Sequence, residues 1–413
     1  MANPIALSIP GFFVLMGVEL YVAHRRGREL YGAADTVNNL HLGIGQQVTG
    51  VMSLGVMFGI YVWIYDSWAL TTWPMDAWWA WVLCFVAQDF LYYWFHRCSH
   101  EVAFLWAAHA VHHQSERYNL SVALRQSWLQ PFFSAWFYFP LAILGVPPLM
   151  YATVVALNTL YQFWIHTELI GRMGWLEKVI NTPSHHRVHH GTDPEYVDRN
   201  HAGMLIVWDK LFGTFVEEKQ RPRYGTLAPL RSFETVRANL QVWHLLIRKA
   251  RAAGRWRDRI AVFLKPPGWV PEGVELPPPP AGKPTDADYR LYWRPLAGSR
   301  AIYVGLQFFA VSIGLFLLLM QTAEHSTTVV LLWSGALLWT VIAVGGVVDG
   351  RRWAPWLEAA RLAAMVAVGA GLWVTGTAPT IGLLLFVGGL SSSALGAWTA
   401  RHHAGDGLEA ERA

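Results

Sequence analysis

Long apolar runs separated by short polar loops make up most of this chain. Nine of the runs are about as long as a bilayer requires, since a helix that rises about 1.5 Å per residue needs roughly 20 apolar residues to cross. The predicted spans cover, approximately, residues 5–23, 42–65, 77–95, 129–144, 149–165, 301–320, 327–348, 356–374 and 381–399. The stretch from 181 to 298 is polar, basic and too hydrophilic to cross. The pattern therefore predicts an all-α, polytopic membrane protein.

Basic residues in the loops predict how the spans are oriented. Arg25 and Arg26 follow the first span, Arg351 and Arg352 stand between two later spans, and loop 66–76 contains no Lys or Arg. Lys and Arg are enriched in cytoplasmic loops, so the N-terminus is predicted outside and the C-terminus inside. The first run is too long for the hydrophobic region of a cleaved signal peptide, and we interpret it as a retained span.

Composition supports the membrane interpretation and excludes other classes. Hydrophobic residues make up 54% of the chain and charged residues only 15%, whereas soluble domains carry about 25% charged residues. The basic residues lie beside apolar spans, which indicates contact with anionic lipid headgroups rather than with nucleic acid. The two cysteines, Cys84 and Cys98, form neither a disulfide framework nor a CxxC zinc motif. The predicted partner is the bilayer.

Four segments follow from the pattern: N-terminal spans (1–76), a histidine-rich cytoplasmic region (77–218), an amphipathic and Pro-rich segment (219–298) and C-terminal spans (299–413). In the third segment, apolar residues recur at helical spacing, namely Phe233, Val236, Leu240, Trp243 and Ile247. They predict a helix that lies on the membrane surface or packs on the cytoplasmic region, and both alternatives stay open. Pro277–Pro280 predicts an extended connector. The last spans carry no metal-type cluster and are interpreted as structural or substrate-shaping.

Histidines gather in four short motifs. HRCSH places two histidines four residues apart, and QFWIH places a histidine four residues after a glutamine, which is the i, i+4 spacing of one helix face. HAVHH and HRVHH repeat an i, i+3, i+4 pattern that directs several imidazoles to one face. The histidines of these motifs are His96, His100, His109, His112, His113, His166, His186, His189 and His190. So many uncompensated imidazoles beside a bilayer would be costly unless they bind metal.

The number and type of these residues point to two redox-active metal ions. Eight or nine imidazoles exceed what one ion accepts. The chain lacks the HExxH motif of a zinc hydrolase and the Glu-x-x-His repeats of a carboxylate di-iron protein. All-histidine ligation next to a lipid phase favours iron and dioxygen chemistry, with copper as the alternative.

The boxes and their flanks resemble those of the fatty acid hydroxylase/sterol desaturase superfamily. The matching strings are DFLYYWFHRCSHE, LWAAHAVHHQSERYNLSVALRQS, YQFWIHTE and NTPSHHRVHHGTDPEYVDRNHAG with WDKLFGTF. In these details the chain is similar to the alkylglycerol monooxygenase-like branch. The resemblance covers about residues 89–218 and implies that the nine histidines are the iron ligands. Some superfamily members have a histidine where this chain has Gln162, so the tenth ligand is left open among Gln162, His185, His201 and water.

Supporting roles are proposed for polar residues near the boxes. Asp89 lies two helical turns before His96 and is the first candidate catalytic residue, because its carboxylate could fix a ligand imidazole. Glu101 and Asn119 are the other two candidates, with a capping or loop hydrogen bond as the alternative role. Glu116, Arg125, Asp198 and Asn200 also lie close to the boxes.

The predicted activity is hydroxylation of a lipid C–H bond with two iron ions and dioxygen. Desaturation by the same site is the alternative reaction, and a metal-binding transporter is the alternative that is not an enzyme. Electrons must come from outside, since the chain has no flavin, NAD or iron–sulfur motif. The branch resemblance implies tetrahydropterin and an ether-adjacent carbon of an alkylglycerol; the wider superfamily implies a cytochrome or ferredoxin. A bacterial inner membrane, or the endoplasmic reticulum in a eukaryote, is expected, with the histidine site facing the cytoplasm.

Overall fold

The computed structural model describes residues 4–275, 291–376, 383 and 387–393, and within them the chain is helical, without strands. Two isolated bridges, Ile180 with Leu205 and Gly191 with Tyr224, are the only β-type pairings in the described residues. The Pro277–Pro280 connector and most of the predicted span 381–399 lie outside the described residues. The all-α prediction is confirmed.

The chain divides into two compact units. The first comprises 1–232 and 236–292, and the second 233–235 and 293–413. The helices up to residue 264 are α1 (Pro4–Arg25), α2 (Ala33–Trp68), α3 (Trp78–Glu101), α4 (Ala103–His113), α5 (Gln130–Ser134), α6 (Phe139–Ile143), α7 (Pro148–Trp164), α8 (Pro183–His189), α9 (Val207–Phe212), α10 (Thr235–Ala252) and α11 (Trp256–Leu264). The later helices are α12 (Gly298–Gln321), α13 (Thr327–Asp349) and α14 (Ala354–Val374).

Among the described residues, fewer helices than the nine predicted are suited to span a membrane. Four helices in the described residues are long and apolar enough, namely Ile5–Arg25, Gly298–Glu324, Thr327–Asp349 and Ala354–Val374. A fifth candidate is a pair bent by 45°, Ala33–Val51 with Gly55–Trp68. The chain is thus a helical membrane protein with four or five candidate spans, and the predicted count of nine is not confirmed.

Two of the differences have simple causes. The predicted span 129–144 is broken into α5, a 3₁₀ turn and α6, because Pro131 and Pro140 each begin a new helix instead of continuing one. α3 is a continuous helix, but it buries polar Gln88 and Asp89. One side of α3 therefore contacts protein, although the apolar pattern alone predicts a span surrounded by lipid.

An apolar core joins α2, α3, α6 and α7 beneath the histidine boxes. It includes Tyr61, Cys84, Leu141 and Met150, all of which are fully buried. The Tyr61 hydroxyl donates a hydrogen bond of 2.9 Å to the carbonyl of Val146, which fixes α2 against the turn before α7. This packing sets the positions of α3, which carries His96, and of α7, which His166 follows.

α2 approaches the 3₁₀ turn Leu120–Leu124 closely because glycine faces it. A Cβ atom on Gly43 would lie 2.3 Å from the Leu124 carbonyl oxygen, which is far inside van der Waals contact. α10 packs on α4 through Ala107 and Leu246. In the structure, this amphipathic helix thus packs on the histidine-rich region.

The second unit is a set of neighbouring apolar helices, in which α13 packs against both α12 and α14. Inside it the Arg361 guanidinium donates to Glu358 at 2.6 Å and to Gln307 at 2.7 Å. Charged groups among apolar helices are expected to be paired in this way. In the described part of this unit no histidine or carboxylate cluster of metal-binding type occurs.

Candidate metal centre

Four short segments bring the predicted histidines together. α3 carries two near its C-terminal end, α4 carries three in its last turns, one follows α7, and α8 with its C-cap carries three. All of them are at most 5% exposed: His96, His100, His109, His112, His113, His166, His186, His189 and His190. Every histidine that the boxes singled out thus lies in one buried region.

The nine imidazoles form two groups. The first group consists of His96, His100, His109, His113 and His189, and the second of His112, His166, His186 and His190. Within each group, one ring nitrogen per residue lies within 4.8 Å of all the others. Neighbouring residues are divided between the groups, since His112 and His113 point to different ones. α4 and α8 therefore each contribute to both groups.

The second group contains two nitrogen lone pairs that face each other. His112 Nδ1 lies 2.9 Å from the Arg125 carbonyl oxygen, and His166 Nδ1 lies 2.7 Å from that of Gln162. A carbonyl only accepts, so each Nδ1 carries the proton and, in a neutral ring, each Nε2 is an acceptor. These two Nε2 atoms are nevertheless only 3.2 Å apart. Such an arrangement needs a cation between the lone pairs, and a metal ion satisfies it.

One loop orients three rings of the first group. The contacts are His100 Nδ1 to Asp198 Oδ1 at 3.3 Å, His189 Nδ1 to the Arg199 carbonyl at 3.0 Å and His96 Nδ1 to the His201 carbonyl at 2.8 Å. Asp198 and Asn200 adopt left-handed conformations with φ of 55° and 54°. These values are uncommon outside glycine, although Asp and Asn tolerate them best. The loop thereby presents two carbonyls and a carboxylate to the group.

Burial keeps these imidazoles neutral. It lowers the pKa of His112 to about 4, with the hydrogen bond to the Arg125 carbonyl opposing the shift. The pKa values of His186, His189 and His190 are also held well below their usual range by burial and by the neighbouring histidines. The neutral ring is the form that binds metal. In the first group, the Nε2 atoms of His100 and His189 have no protein partner in the described structure.

The donor atoms of the two groups suit iron, because they are buried imidazole nitrogens. Buried imidazole nitrogens without a partner are costly, and the groups contain only histidine among the described residues. Imidazole suits iron, zinc and copper. The imidazoles form two sets of donors, one of five nitrogens and one of four.

The three candidate catalytic residues hold backbone groups or other side chains rather than imidazoles. Within the described structure, none of them accepts a hydrogen bond from a histidine ring. Asp89 accepts from the Met204 and Leu205 amides, at 2.8 and 3.1 Å, and from the Trp208 indole at 2.9 Å. The predicted contact of Asp89 with a ligand imidazole is corrected: the chain after His201 folds back over α3 and occupies its carboxylate.

Glu101 and Asn119 likewise have partners other than the imidazoles. The Glu101 carboxylate accepts a hydrogen bond of 2.8 Å from Arg97 one helical turn earlier, and its side chain is 46% exposed. Asn119 caps the 3₁₀ turn by accepting from the Ser121 amide at 3.0 Å and donates to the Leu30 carbonyl at 2.8 Å. The Asn119 contacts correspond to the alternative role, a capping or loop hydrogen bond, whereas Glu101 forms an ion pair within α3.

The candidates for a tenth ligand differ in their surroundings. The Gln162 side chain is engaged on both ends, since Oε1 accepts from Tyr92 at 2.6 Å and Nε2 donates to Asn158. His185 packs its ring against Phe215, 5.3 Å between centroids. His201 packs against the first group. It is therefore the candidate whose side chain lies nearest a histidine group with both nitrogens available.

Several positioning groups carry little signal in the sequence. The carbonyls of Arg125, Gln162, Arg199 and His201 orient four rings, and a backbone carbonyl is the same for every residue type. Asp209 accepts from the His201 and Ala202 amides at 2.8 Å each and so fixes the loop. Burial raises the pKa of Asp209 to about 6. In the sequence, Asp209 could have been found from its position in the string WDKLFGTF.

A cavity of about 310 Å³ lies beside the second group. Tyr118 lines the cavity, and its ring is 5.2 Å from that of His190 and 5.8 Å from that of His166, between centroids. Tyr224 also lines the cavity and stacks on Tyr118, with 4.7 Å between the ring centroids. The remaining lining residues include carboxylates and guanidinium groups, among them Glu168.

Fold and site together define a helical membrane protein with a buried, all-histidine centre of the kind used by non-haem oxygenases. The sequence profile of the fatty acid hydroxylase family matches residues 81–214, which contain all nine histidines. No solved structure matches the chain.

Alkylglycerol monooxygenases are similar over most of the chain. The protein of Xenopus tropicalis is 37% identical over 351 residues, 85% of this chain and 78% of the relative. That of Danio rerio is 40% identical, covering 79% and 73% of the two chains, and that of Homo sapiens is 41% identical, covering 64% and 59%. The chain belongs to the fatty acid hydroxylase family and groups with these monooxygenases, as its motifs predicted. It is accordingly an oxidoreductase of the lipid monooxygenase class.

Proposed function

We propose that this protein hydroxylates the carbon next to the ether oxygen of an alkylglycerol lipid, using two iron ions, dioxygen and an external reductant. The observation that carries the proposal is the pair of histidine groups, in particular the two unprotonated Nε2 atoms that face each other 3.2 Å apart. The substrate comes from the names of the similar enzymes, which act on alkylglycerols.

In this proposal the first group holds one iron ion and the second group the other. Iron supplies the activation of dioxygen when it is bound. The protein contributes orientation: Nδ1 of His96, His112, His166 and His189 each meets a backbone carbonyl, which directs Nε2 towards the group centre. The same contacts favour the tautomer in which Nε2 can act as a ligand.

Exclusion of water is the second contribution of the chain. Trp106 packs against His100 and His113, with centroid distances of 5.1 and 5.5 Å, and closes one side of the first group. Tyr118 closes the second group towards the cavity. A dry site strengthens each electrostatic contact and protects reactive species from side reactions.

The overall reaction balances as follows. One oxygen atom of dioxygen enters the C–H bond, the other leaves as water, and two electrons and two protons come from the reductant. The product of an alkylglycerol is a hemiacetal, which collapses to a fatty aldehyde and glycerol. The reductant is a tetrahydropterin or, as the alternative, a cytochrome or ferredoxin, and the cavity beside Tyr118 is our candidate for its approach to the second group.

We further propose that the histidine site faces the cytoplasm and that the protein resides in a bacterial inner membrane or, in a eukaryote, in the endoplasmic reticulum. Arg25 and Arg26 at the C-terminal end of α1, and Arg351 and Arg352 between α13 and α14, support this orientation. Labelling of single introduced cysteines in those two loops with a membrane-impermeant reagent, in intact cells, tests it. Protection of both loops is expected, and labelling of either one contradicts it.

Product analysis tests the activity. The purified full-length protein is incubated in detergent micelles with a 1-O-alkylglycerol, ¹⁸O₂ and either tetrahydropterin or a reduced ferredoxin. The expected product is a fatty aldehyde containing one ¹⁸O atom. It is reduced at once to the alcohol and detected in that form. The matched 1-O-acylglycerol lacks the ether-adjacent CH₂ and is expected to give none. An alkenyl product without ¹⁸O would instead identify a desaturase.

A further inference from the structure

His201 lies against the first histidine group without being one of its five members. The centre of its ring is 5.1 Å from that of His100, 5.7 Å from that of His189 and 5.9 Å from that of His96. Its nitrogens do not join the set of ligand atoms that lie within 4.8 Å of one another. The imidazole therefore forms part of the wall of the group.

The His201 side chain is fully buried, and in the described protein neither ring nitrogen has a hydrogen-bond partner of ordinary length and angle. Leaving such a group unsatisfied costs about 1–3 kcal/mol. Its backbone is firmly held, since its amide donates to Asp209 at 2.8 Å and the preceding Asn200 adopts a left-handed φ of 54°. A strained segment that holds an unsatisfied imidazole beside a metal-type group indicates a functional role.

The number of ligands that an ion in the first group accepts limits the roles open to His201. The five imidazoles of the first group would hold the ion, and a six-coordinate ion would then keep one position for a small external ligand. A sixth imidazole in that position would close the ion, whereas an imidazole next to it stabilises what binds there. A neutral imidazole offers one donor and one acceptor, so it can serve dioxygen, water or a small anion.

We propose that His201 forms a hydrogen bond to the small external ligand that binds at the first histidine group. The inference rests on the proposed function, because it requires iron in that group. It assigns to His201 contact with the reacting ligand rather than with the metal ion. Of the candidates for a tenth ligand, it removes His201 from direct ligation and gives it another role.

Azide binding to the oxidised, iron-loaded full-length protein tests the inference. Azide is a small anion whose binding to ferric iron is followed by its charge-transfer absorption. His201→Phe keeps the ring volume and removes both nitrogens, and we expect it to weaken azide binding about tenfold, which corresponds to one hydrogen bond to a charged ligand. His201→Gln keeps a donor and is expected to stay within about threefold of the wild type.

His41→Phe is the matched control. His41 is also a fully buried histidine, and it lies on α2 outside both groups, so its replacement is expected to leave azide affinity unchanged. His201→Leu repeats the measurement if the Phe variant does not fold. Iron content is determined on every sample.

Equal azide affinity in wild-type protein and His201→Phe, at equal iron content, would overturn the inference. Loss of one iron ion from both His201→Phe and His201→Gln would also overturn it, because His201 would then be a ligand. A wild-type protein that binds no iron would refute the proposed function and the inference with it, and iron analysis distinguishes this result from the other two.

Discussion

Replacement of Arg125 gives the sharpest test of how the second histidine group is supported. The Arg125 side chain is 1% exposed and donates four hydrogen bonds. The acceptors are the Val111 carbonyl at 2.6 Å, Asn38 Oδ1 at 2.5 Å, Asn39 Oδ1 at 3.0 Å and Gln114 Oε1 at 2.9 Å. The guanidinium thus joins α2 to the end of α4.

Arg125→Met keeps the length of the side chain and removes every donor. Each buried acceptor left without a partner costs about 1–3 kcal/mol, and relief from burying the charge offsets part of the sum. Removing one member of a buried charged network costs about 3–5 kcal/mol, and we expect this loss. A loss of that size corresponds to a Tm lower by roughly 10 °C for a unit of this size.

The effect is expected to extend to metal binding, because the Arg125 carbonyl orients His112 and its guanidinium fixes the turn that carries it. The assay is thermal unfolding in detergent together with iron analysis of the folded fraction. Arg97→Met is the control, since that arginine is partly exposed and bonds to Glu101 on the same helix. A Tm within about 2 °C of the wild type and full iron content for Arg125→Met would refute the reasoning.

Three further predictions follow from the contacts of single residues. Asp198→Ala removes the carboxylate partner of His100 and is expected to weaken iron binding about 10–100-fold in competition with a chelator, while exposed Glu217→Ala leaves it unchanged; equal losses would contradict this. Asn119→Ala removes a cap and is expected to cost about 1 kcal/mol of unfolding free energy with normal iron content, so loss of iron would assign Asn119 a larger role. In the metal-free protein, His112 has a folded pKa of about 4 against 6.5 unfolded, so the unfolded chain binds the proton first and stability is expected to fall, by about 3 kcal/mol, as the pH drops from 6.5 to 4; a Tm independent of pH in this window would contradict it.

The positions of the histidines could be predicted because spacing alone brings them to one helix face. The i, i+3, i+4 pattern of His109, His112 and His113 defines a cluster whatever the neighbouring helices do. The division into groups could not be predicted in the same way. His112 joins His186 and His190, whereas His113 joins His189, and the relative placement of two helices is not contained in the spacing of either.

The supporting residues show the same limit. Asp89 was expected to contact an imidazole because it lies on the face of His96, but the chain 115 residues later supplies its partner, the Met204 amide. The orienting carbonyls of Gln162 and Arg199 have no side-chain signature. Long-range contacts of this type are decided by tertiary packing.

The predicted span 129–144 is interrupted for a physical reason. Hydropathy measures how apolar a stretch is, whereas a span also needs an unbroken helix. The stretch 129–144 is apolar but contains Pro131 and Pro140, and it forms two helices of five residues each with a 3₁₀ turn between them. Apolar side chains there pack on protein, as Leu141 does in the core beneath the site.

The number of iron ions bound per chain tests the central claim most directly. The full-length protein is purified anaerobically, reconstituted with ferrous iron, freed of unbound metal and analysed for iron and protein by mass spectrometry and amino-acid analysis. Two ions per chain are expected, falling to one in His190→Ala, which removes a member of the second group only. A wild-type value of one or none, or an unchanged value of two in the variant, would contradict the account.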